Sequence, residues 1–432
     1  MNKTKLLLQI TALAIGSLAQ ISFAADRPTR LVHEYALPPF SLLNFGYSPA
    51  ELADAMANGL ASTDLPAIGS GVQRLNGNFY LSVTDRGPNG TRADGFKFFP
   101  LPQFTPTIVL FKANGDQISP EMMLPLVNDL GKGVTGIPNS ASADTTPFLT
   151  STSSVPLPFN PDGMDIEDVH ALPGGGFLLV EEYAPSVVIA SADGHVLRRY
   201  TPAGKTLPGA NYVVSDTLPA VFNQRRANRG FEGLAVSDDG LTAYIMTQSP
   251  MGSTSAGSPY RDSSLIRVLR LNISNPLALQ ISGEFLFKML AATDFPGNAA
   301  RDLKISAAAW VSPERLLITE GTDSIGAGGH KVVLLDLTAA TDVFGLADAS
   351  TLPLVYEKVT TDFAALGITL GNSEVVADLI NEVPEIIERK LEGMTILNAN
   401  EIEISSDNDF GIGDVLGAQT KLYTVRLKKP IR

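Results

Sequence analysis

An all-β chain closed into a β-propeller is the fold class the sequence predicts, on three observations. Residues 163–182 read as two short apolar runs about a glycine turn at 174–176, the pattern of a hairpin. The plan recurs around Glu232 and Glu392, and more loosely from Gly71 and Ser306, with one internal offset shared by Gly71 to Asp85, Glu167 to Glu181 and Ser306 to Glu320. Separated copies at a fixed offset mark a repeat architecture, and 38 Gly and 29 Pro with few long helical patterns favour strands. Five repeats are recognisable, and the long intervals between them leave room for a sixth, so five or six blades with loop and helix insertions are expected.

Taken in order, the chain opens with Lys3 and Lys5, an apolar run over 6–19 and the small-residue site Ser22-Phe23-Ala24. That is the pattern of a secretory signal peptide over 1–24, which leaves 25–432 as a single propeller domain. The apolar run is too short for a comfortable membrane span, and nothing later approaches the length needed. With no cysteine in 432 residues there is no thiol or disulfide chemistry, which suits a periplasmic or secreted protein. Residues 29–36 read as a strand expected to pair with 421–428 and so close the ring, removing two exposed sheet edges. A short amphipathic helix or a loop insertion is expected over 49–61, preceded by a cap at Ser48. Residues 107–116 form a strand entering an Asn-Gly turn, and 119–162, rich in Pro, Gly, Ser and Thr, read as a long surface loop. Two strands about Asp193-Gly194 complete the second unit, and 201–229 form another insertion. Residues 264–271 and 284–288 supply outer strands of the third unit, and 331–337 one of the fourth. Over 373–391 the apolar spacing of Val375, Val376, Leu379, Ile380, Val383, Ile386 and Ile387 is helical, broken by Pro384. A helical insertion is expected there, delivering Arg389, Lys390 and Glu392 to the fifth hairpin.

Charge narrows the function classes. Against 45 acidic residues stand 32 basic ones, a formal charge of −13, which disfavours nucleic acid and anionic membranes as partners. In a propeller, equivalent hairpin positions converge on one mouth, so Glu167, Glu232 and Glu392 are expected on a common ring, with Asp168, Asp85, Glu181, Glu320 and Asp407 beside them. Oxygen-only ligands in that number suit a hard cation, Ca²⁺ above all, and the absence of cysteine with only four histidines argues against zinc. Metal ligands are therefore sought at Glu167, Asp168, Glu232, Glu392 and Asp407. Asp85 and Glu181 would be ligands or would orient the attacking water. Arg86 and Arg229 are placed to hold phosphate oxygens, a combination that points to hydrolysis of a small phosphorylated substrate by metal-activated water. Other readings of single residues are plainer: Asp193, Asp238 and Asp239 precede glycines as turn residues, His170 reads as a packed histidine, and Trp310 as core. No Gly-x-Ser-x-Gly elbow occurs.

The segments Asp85-Arg86-Gly87, Asp165-Ile-Glu167-Asp168, Asn228-Arg-Gly-Phe-Glu-Gly-Leu-Ala235, Lys390-Leu-Glu-Gly393 and Asp407-Asn-Asp-Phe-Gly411 together resemble the phytase-like family, described by an esterase-like activity of phytase. The resemblance runs from the first repeat to the C-terminus and implies a calcium-linked phosphoesterase on a propeller. Two rivals stay open: a non-catalytic, calcium-stabilised propeller that binds a protein or glycan, and a propeller lactonase or carboxylic esterase. The first and fourth copies depart from the pattern, having Gly71-Val72 and Ser306-Ala307 where the others carry an acid, so any metal site is asymmetric.

Overall fold

The computed structural model describes residues 28–322, 329–346, 354–412 and 418–431, so the expected signal peptide at 1–24 lies outside the described residues. The chain is all-β. Strand β1 (Arg30–Ala36) is followed by helix α1 (Pro49–Asn58), whose Ser48 and Glu51 form a reciprocal capping box, as the Ser48 reading anticipates. A first unit comprises β2 (Gly71–Asn76), β3 (Phe79–Val83), a small ribbon of β4 (Gly90–Thr91) and β5 (Lys97–Phe98), then β6 (Thr107–Asn114) and β7 (Gln117–Pro125). The second contains β8 (Ile166–Ala171), β9 (Phe177–Glu181), β10 (Ser186–Ala190), β11 (Val196–Pro202) and an added parallel strand β12 (Val213–Leu218). The third contains β13 (Phe231–Val236), β14 (Thr242–Thr247), β15 (Leu265–Asn272) and β16 (Gln280–Lys288). The fourth contains β17 (Lys304–Ser312), β18 (Arg315–Gly321), β19 (His330–Asp336) and β20 (Asn372–Asp378). After α2 (Leu379–Glu382) come β21 (Leu391–Asn398), β22 (Glu401–Ser406) and β23 (Lys421–Arg426).

Sheet order places β2, β8, β13, β17 and β21 at one end of their respective runs of strands. These inner strands touch in cyclic sequence, β2 to β8, β8 to β13, β13 to β17, β17 to β21 and β21 back to β2, a propeller-like arrangement about one axis. The ends of the chain meet as the sequence predicts: β1 pairs antiparallel with β23, from Arg30 opposite Arg426 to Ala36 opposite Lys421. A single parallel bridge, Ala36 to Gln117, joins that last run of strands to the first.

Apolar packing fills the gaps between neighbouring sheets, because each twisted sheet presents one inward face to the next. Leu81, Val83, Ile166 and Leu179 pack between the first and second units, Phe231, Ile245, Val187 and Leu178 between the second and third, and Ala308, Ile318, Met246 and Phe285 between the third and fourth. The inner strands also approach one another closely. A Cβ on Gly393 would stand 2.7 Å from the Val72 backbone nitrogen, and one on Gly230 would stand 2.1 Å from the Glu182 carbonyl oxygen. Both positions accept only glycine without a backbone shift.

Two insertions differ from expectation. Residues 372–378 form an edge strand paired with β19, and helix is limited to Leu379–Glu382. The β-branched Val375 and Val376 alternate across the pleat as readily as they fit a helical face, and Pro384 cannot continue a helix. The stretch 119–162 begins as strand β7 and then folds inward, burying Leu126, Val134, Ala143 and Asp144. It is a packed cover over the axis, and its polar composition reflects the groups it meets there.

Candidate active site: an acidic mouth at one end of the axis

A repeated β-bulge builds the site. The register slips between Ile166 and Asp168, between Phe231 and Gly233, between Ile305 and Ala307, and between Leu391 and Gly393. The extra residue at each slip is Glu167, Glu232, Ser306 or Glu392, and a bulge re-aims its side chain out of the regular alternation. In the first unit Gly71 pairs with Val83 as Asp168 pairs with Val180, which makes Ser70 the counterpart of Glu167. Counted from the same pairs, the second-strand positions that follow are Asp85, Glu182, Gln248, Gly321 and Asp407.

That register corrects the reading of Glu181. Its carboxylate faces away from the axis into a closed polar nest, paired with Arg199 at 2.6 Å and accepting from the Tyr183 and Ala184 N–H groups and the Ser186 hydroxyl. One residue of bulge flips every side chain after it to the other face, so the axial acid is the next residue, Glu182. Glu320 is likewise outside the mouth; it accepts from the Leu290 N–H at 2.7 Å. Asp168 is buried farther along the axis, where its carboxylate accepts the Val169 N–H at 2.7 Å.

Glu167, Glu232, Glu392, Asp85 and Asp407 are brought together as expected, joined by Asp165, Glu182 and Asp409. One oxygen each from Asp85, Asp407 and Asp409 lies within 4.8 Å of the others, and the same holds for Asp165, Glu167 and Glu182. Each triad carries its own cation. Lys390 Nζ stands 3.3 Å from Asp407, 2.7 Å from Asp409 and 3.1 Å from Glu392. Arg86 pairs with Asp144 at 2.8 Å, Asp165 at 2.7 Å and Glu182 at 3.3 Å. The guanidinium assigned to phosphate is therefore buried and committed to carboxylates, Asp144 being contributed by the folded-in cover. Arg229 is half-buried and donates to Ser249 Oγ at 3.0 Å.

The carboxylates outnumber these cations, and the electrostatics record it. Burial first, then Asp407, pushes Asp85 up to about 7 against the pull of Lys390 and Arg86. Burial and the Glu182 charge push Glu232 up to about 8. Glu167 is held well above the ordinary range by burial and by Glu232, Asp165, Glu182 and Glu392. Glu392 is raised by burial, partly relieved by Lys390. Asp407 ends below its ordinary value: burial opposes ionisation, but Lys390 and its hydrogen bonds outweigh it. Glu182 Oε1 and Glu232 Oε2 are buried without a hydrogen-bond partner. Unpaired carboxylate oxygens at this depth are costly, and a hard cation is the group their chemistry fits.

The turn after β22 is shaped to hold this arrangement. Asp409 and Phe410 adopt φ of 47° and 54°, a left-handed backbone unusual for non-glycine residues, and Phe410 wedges against Phe104 at a ring separation of 5.0 Å. Strain of this kind is held by surrounding packing and concentrates at functional sites. Glu182, Asp144, Asp165 and Lys390 were not assigned roles by sequence. Glu182 and Asp165 carried a signal, being acids beside the assigned ones, whereas the reach of Asp144 across the loop left none.

A 125-residue segment is 30% identical to an uncharacterized secreted protein of Arthroderma benhamiae, covering 26% of this chain and 24% of that one, so the chain spans about a quarter of that relative's length. Among solved structures, the catalytic domain of the Coprinopsis cinerea GH62 α-L-arabinofuranosidase aligns over 91% of this chain and 97% of that one at 8% identity, with a TM-score of 0.41. A putative glycoside hydrolase of Parabacteroides distasonis aligns over 94% and 95% at 8% identity, with a TM-score of 0.37. The profile of the phytase-like family, described as esterase-like activity of phytase, matches residues 66–410, and the chain belongs to that family.

Proposed function

We propose that the protein is an exported, calcium-dependent hydrolase of phosphoric esters, built as a single five-bladed propeller over 25–432. The observation that carries this reading is the excess of buried carboxylate in the mouth, with unpartnered oxygens on Glu182 and Glu232. Family membership supports a hydrolase.

Calcium ions held by Glu167, Glu182, Asp165, Glu232 and the Asp85, Asp407, Asp409 triad would polarise a phosphoryl oxygen and lower the pKa of bound water. A carboxylate that holds calcium is kept ionised, so Asp85 would orient the attacking water rather than store its proton. Lys390, held charged by Asp409, Glu392, Asp407 and Asp85 against the effect of burial, offers positive charge to a phosphate at the same spot. Arg229 contributes from the rim, with only Ser249 engaging it by hydrogen bond among the described residues. Arg86 positions Asp165 and Glu182. The substrate is a small phosphorylated molecule, and the acidic surface disfavours nucleic acid. Among the described residues no helix is long and apolar enough to cross a membrane.

A second reading has its own support. Lys390 already sits among Asp85, Asp407 and Asp409, and Arg86 is fully enclosed, which suits a non-catalytic propeller stabilised by calcium. The purified mature protein should be incubated with an aryl phosphomonoester, an aryl phosphodiester and an aryl acetate, with calcium and with chelator. Calcium-dependent turnover of a phosphate ester is expected. Loss of thermal stability on chelation without turnover establishes the structural role, and turnover of the acetate alone establishes a carboxylic esterase.

A further inference from the structure

We propose that the opposite end of the axis is a second binding site, for a small uncharged polyol of monosaccharide size. A cavity of ≈ 350 Å³ opens there, and all the inner strands β2, β8, β13, β17 and β21 line it with their later residues. The acidic mouth uses the first residues of the same strands, so the two sites lie at opposite ends. The volume falls within the range of small-molecule sites, which pair apolar walls with a few convergent polar groups.

Its polar lining is mostly uncharged, with the Arg74 guanidinium turned to its own hairpin and the exposed Asp238 carboxylate at the rim. Gln73 accepts the Ala171 N–H at 2.8 Å through Oε1, and its Nε2 stands 3.2 Å from His170 Nε2. With the Gln73 amide donating to Nε2, the ring proton resides on Nδ1, a donor available to a ligand. Thr395 Oγ1 accepts the Arg74 N–H at 3.3 Å, which leaves its hydroxyl hydrogen to be donated. Arg74 directs Nε and Nη2 to the Gly77 carbonyl at 2.9 and 2.8 Å, in its own hairpin turn. Asp168 at the inner end is already engaged, its carboxylate accepting the Val169 N–H at 2.7 Å. Leu234, Ala308 and Trp310 supply an apolar wall. Amide, imidazole and hydroxyl groups set against a hydrocarbon surface match a ring of alternating O–H and C–H bonds, and the Asp238 carboxylate at the rim would repel an anion.

Trp310 is the only tryptophan in the chain and lines this cavity, so its fluorescence reports occupancy directly. The mature protein should be titrated with D-glucose and myo-inositol, and with glucose 6-phosphate and glucosamine as charged counterparts. Saturable change with at least one neutral probe is expected, with a weaker response to glucose 6-phosphate. Gln73→Leu and Thr395→Val should each weaken neutral binding about tenfold, the worth of one lost hydrogen bond. The variants should keep the thermal shift of the parent with calcium, which shows that they fold. No response to either neutral probe, a preference for a charged one, or binding unchanged in both variants overturns the proposal.

Discussion

The second and fourth units share a backbone and differ in chemistry. Both inner strands carry the same bulge, at Glu167 and at Ser306, and both second strands continue to an axial position, Glu182 in one and Gly321 in the other. In the second unit the axial pair is two carboxylates; in the fourth it is a hydroxyl and a hydrogen atom. The bulge therefore belongs to the scaffold, aiming whatever residue it receives at the axis, and the acidic mouth is a set of substitutions upon it. The comparison also separates Glu181 from Glu182, adjacent acids on opposite faces with different work.

The largest expected effect breaks that adjacent pair apart. Glu181→Gln leaves Arg199 buried without its charge partner, and loss of one member of a buried ion pair costs roughly 3–5 kcal/mol. Its melting temperature should fall steeply while the rise produced by calcium is retained. Glu182→Gln should lower the metal-free melting temperature far less, because Arg86 keeps Asp144 and Asp165, and should weaken calcium binding by ~10–100-fold in calorimetry. Equal calcium responses in the two variants would remove the distinction.

Ser306→Glu makes the fourth unit resemble the second. Adding a carboxylate to a buried, already acidic space should lower metal-free stability by about 1–3 kcal/mol and enlarge the stabilisation by calcium. A metal-free melting temperature equal to that of the parent would show that position 306 does not look into the mouth.

Titration sharpens the contrast without mutation. The carboxyls of Asp85 and Glu232 have folded pKa values raised to about 7 and about 8, so between their ordinary values and these the folded protein binds more protons than the unfolded chain. Stability in chelator should therefore be fully present at low pH and decline as pH rises through that window. Calcium should flatten the decline, and a melting temperature independent of pH in chelator would contradict the raised values. The smallest effect belongs to Asp409→Asn, because that side chain is 31% exposed and its bond to Lys390 is partly screened. A loss of about 1 kcal/mol or less is expected by denaturant titration.

Much of this arrangement was readable from residues alone. Hairpin spacing reveals the repeats because period-two alternation and glycine turns are local, and the Ser48 cap and the pairing of the two terminal strands follow from equally short signals. Glu167, Glu232 and Glu392 were recoverable because the bulge recurs at the same place in each copy. The same bulge concealed Glu182: counting residues along a strand cannot show where one of them is left unpaired, and a slip of one position exchanges the faces. Asp144 was hidden for a different reason. It reaches Arg86 across 58 positions of chain through a loop without periodicity, and its partner is decided by how that loop folds over the axis. The valines of segment 372–378 satisfy both periods, and pairing with β19 decides between them.

The joining of β1 to β23 governs when this molecule can exist at all. Its first strand has no lateral neighbour on that side until residues 421–426 have been made, so the circle stays open through nearly the whole of synthesis. A chain shortened before that segment would leave β22 and β1 as bare edges, prone to recruit foreign strands.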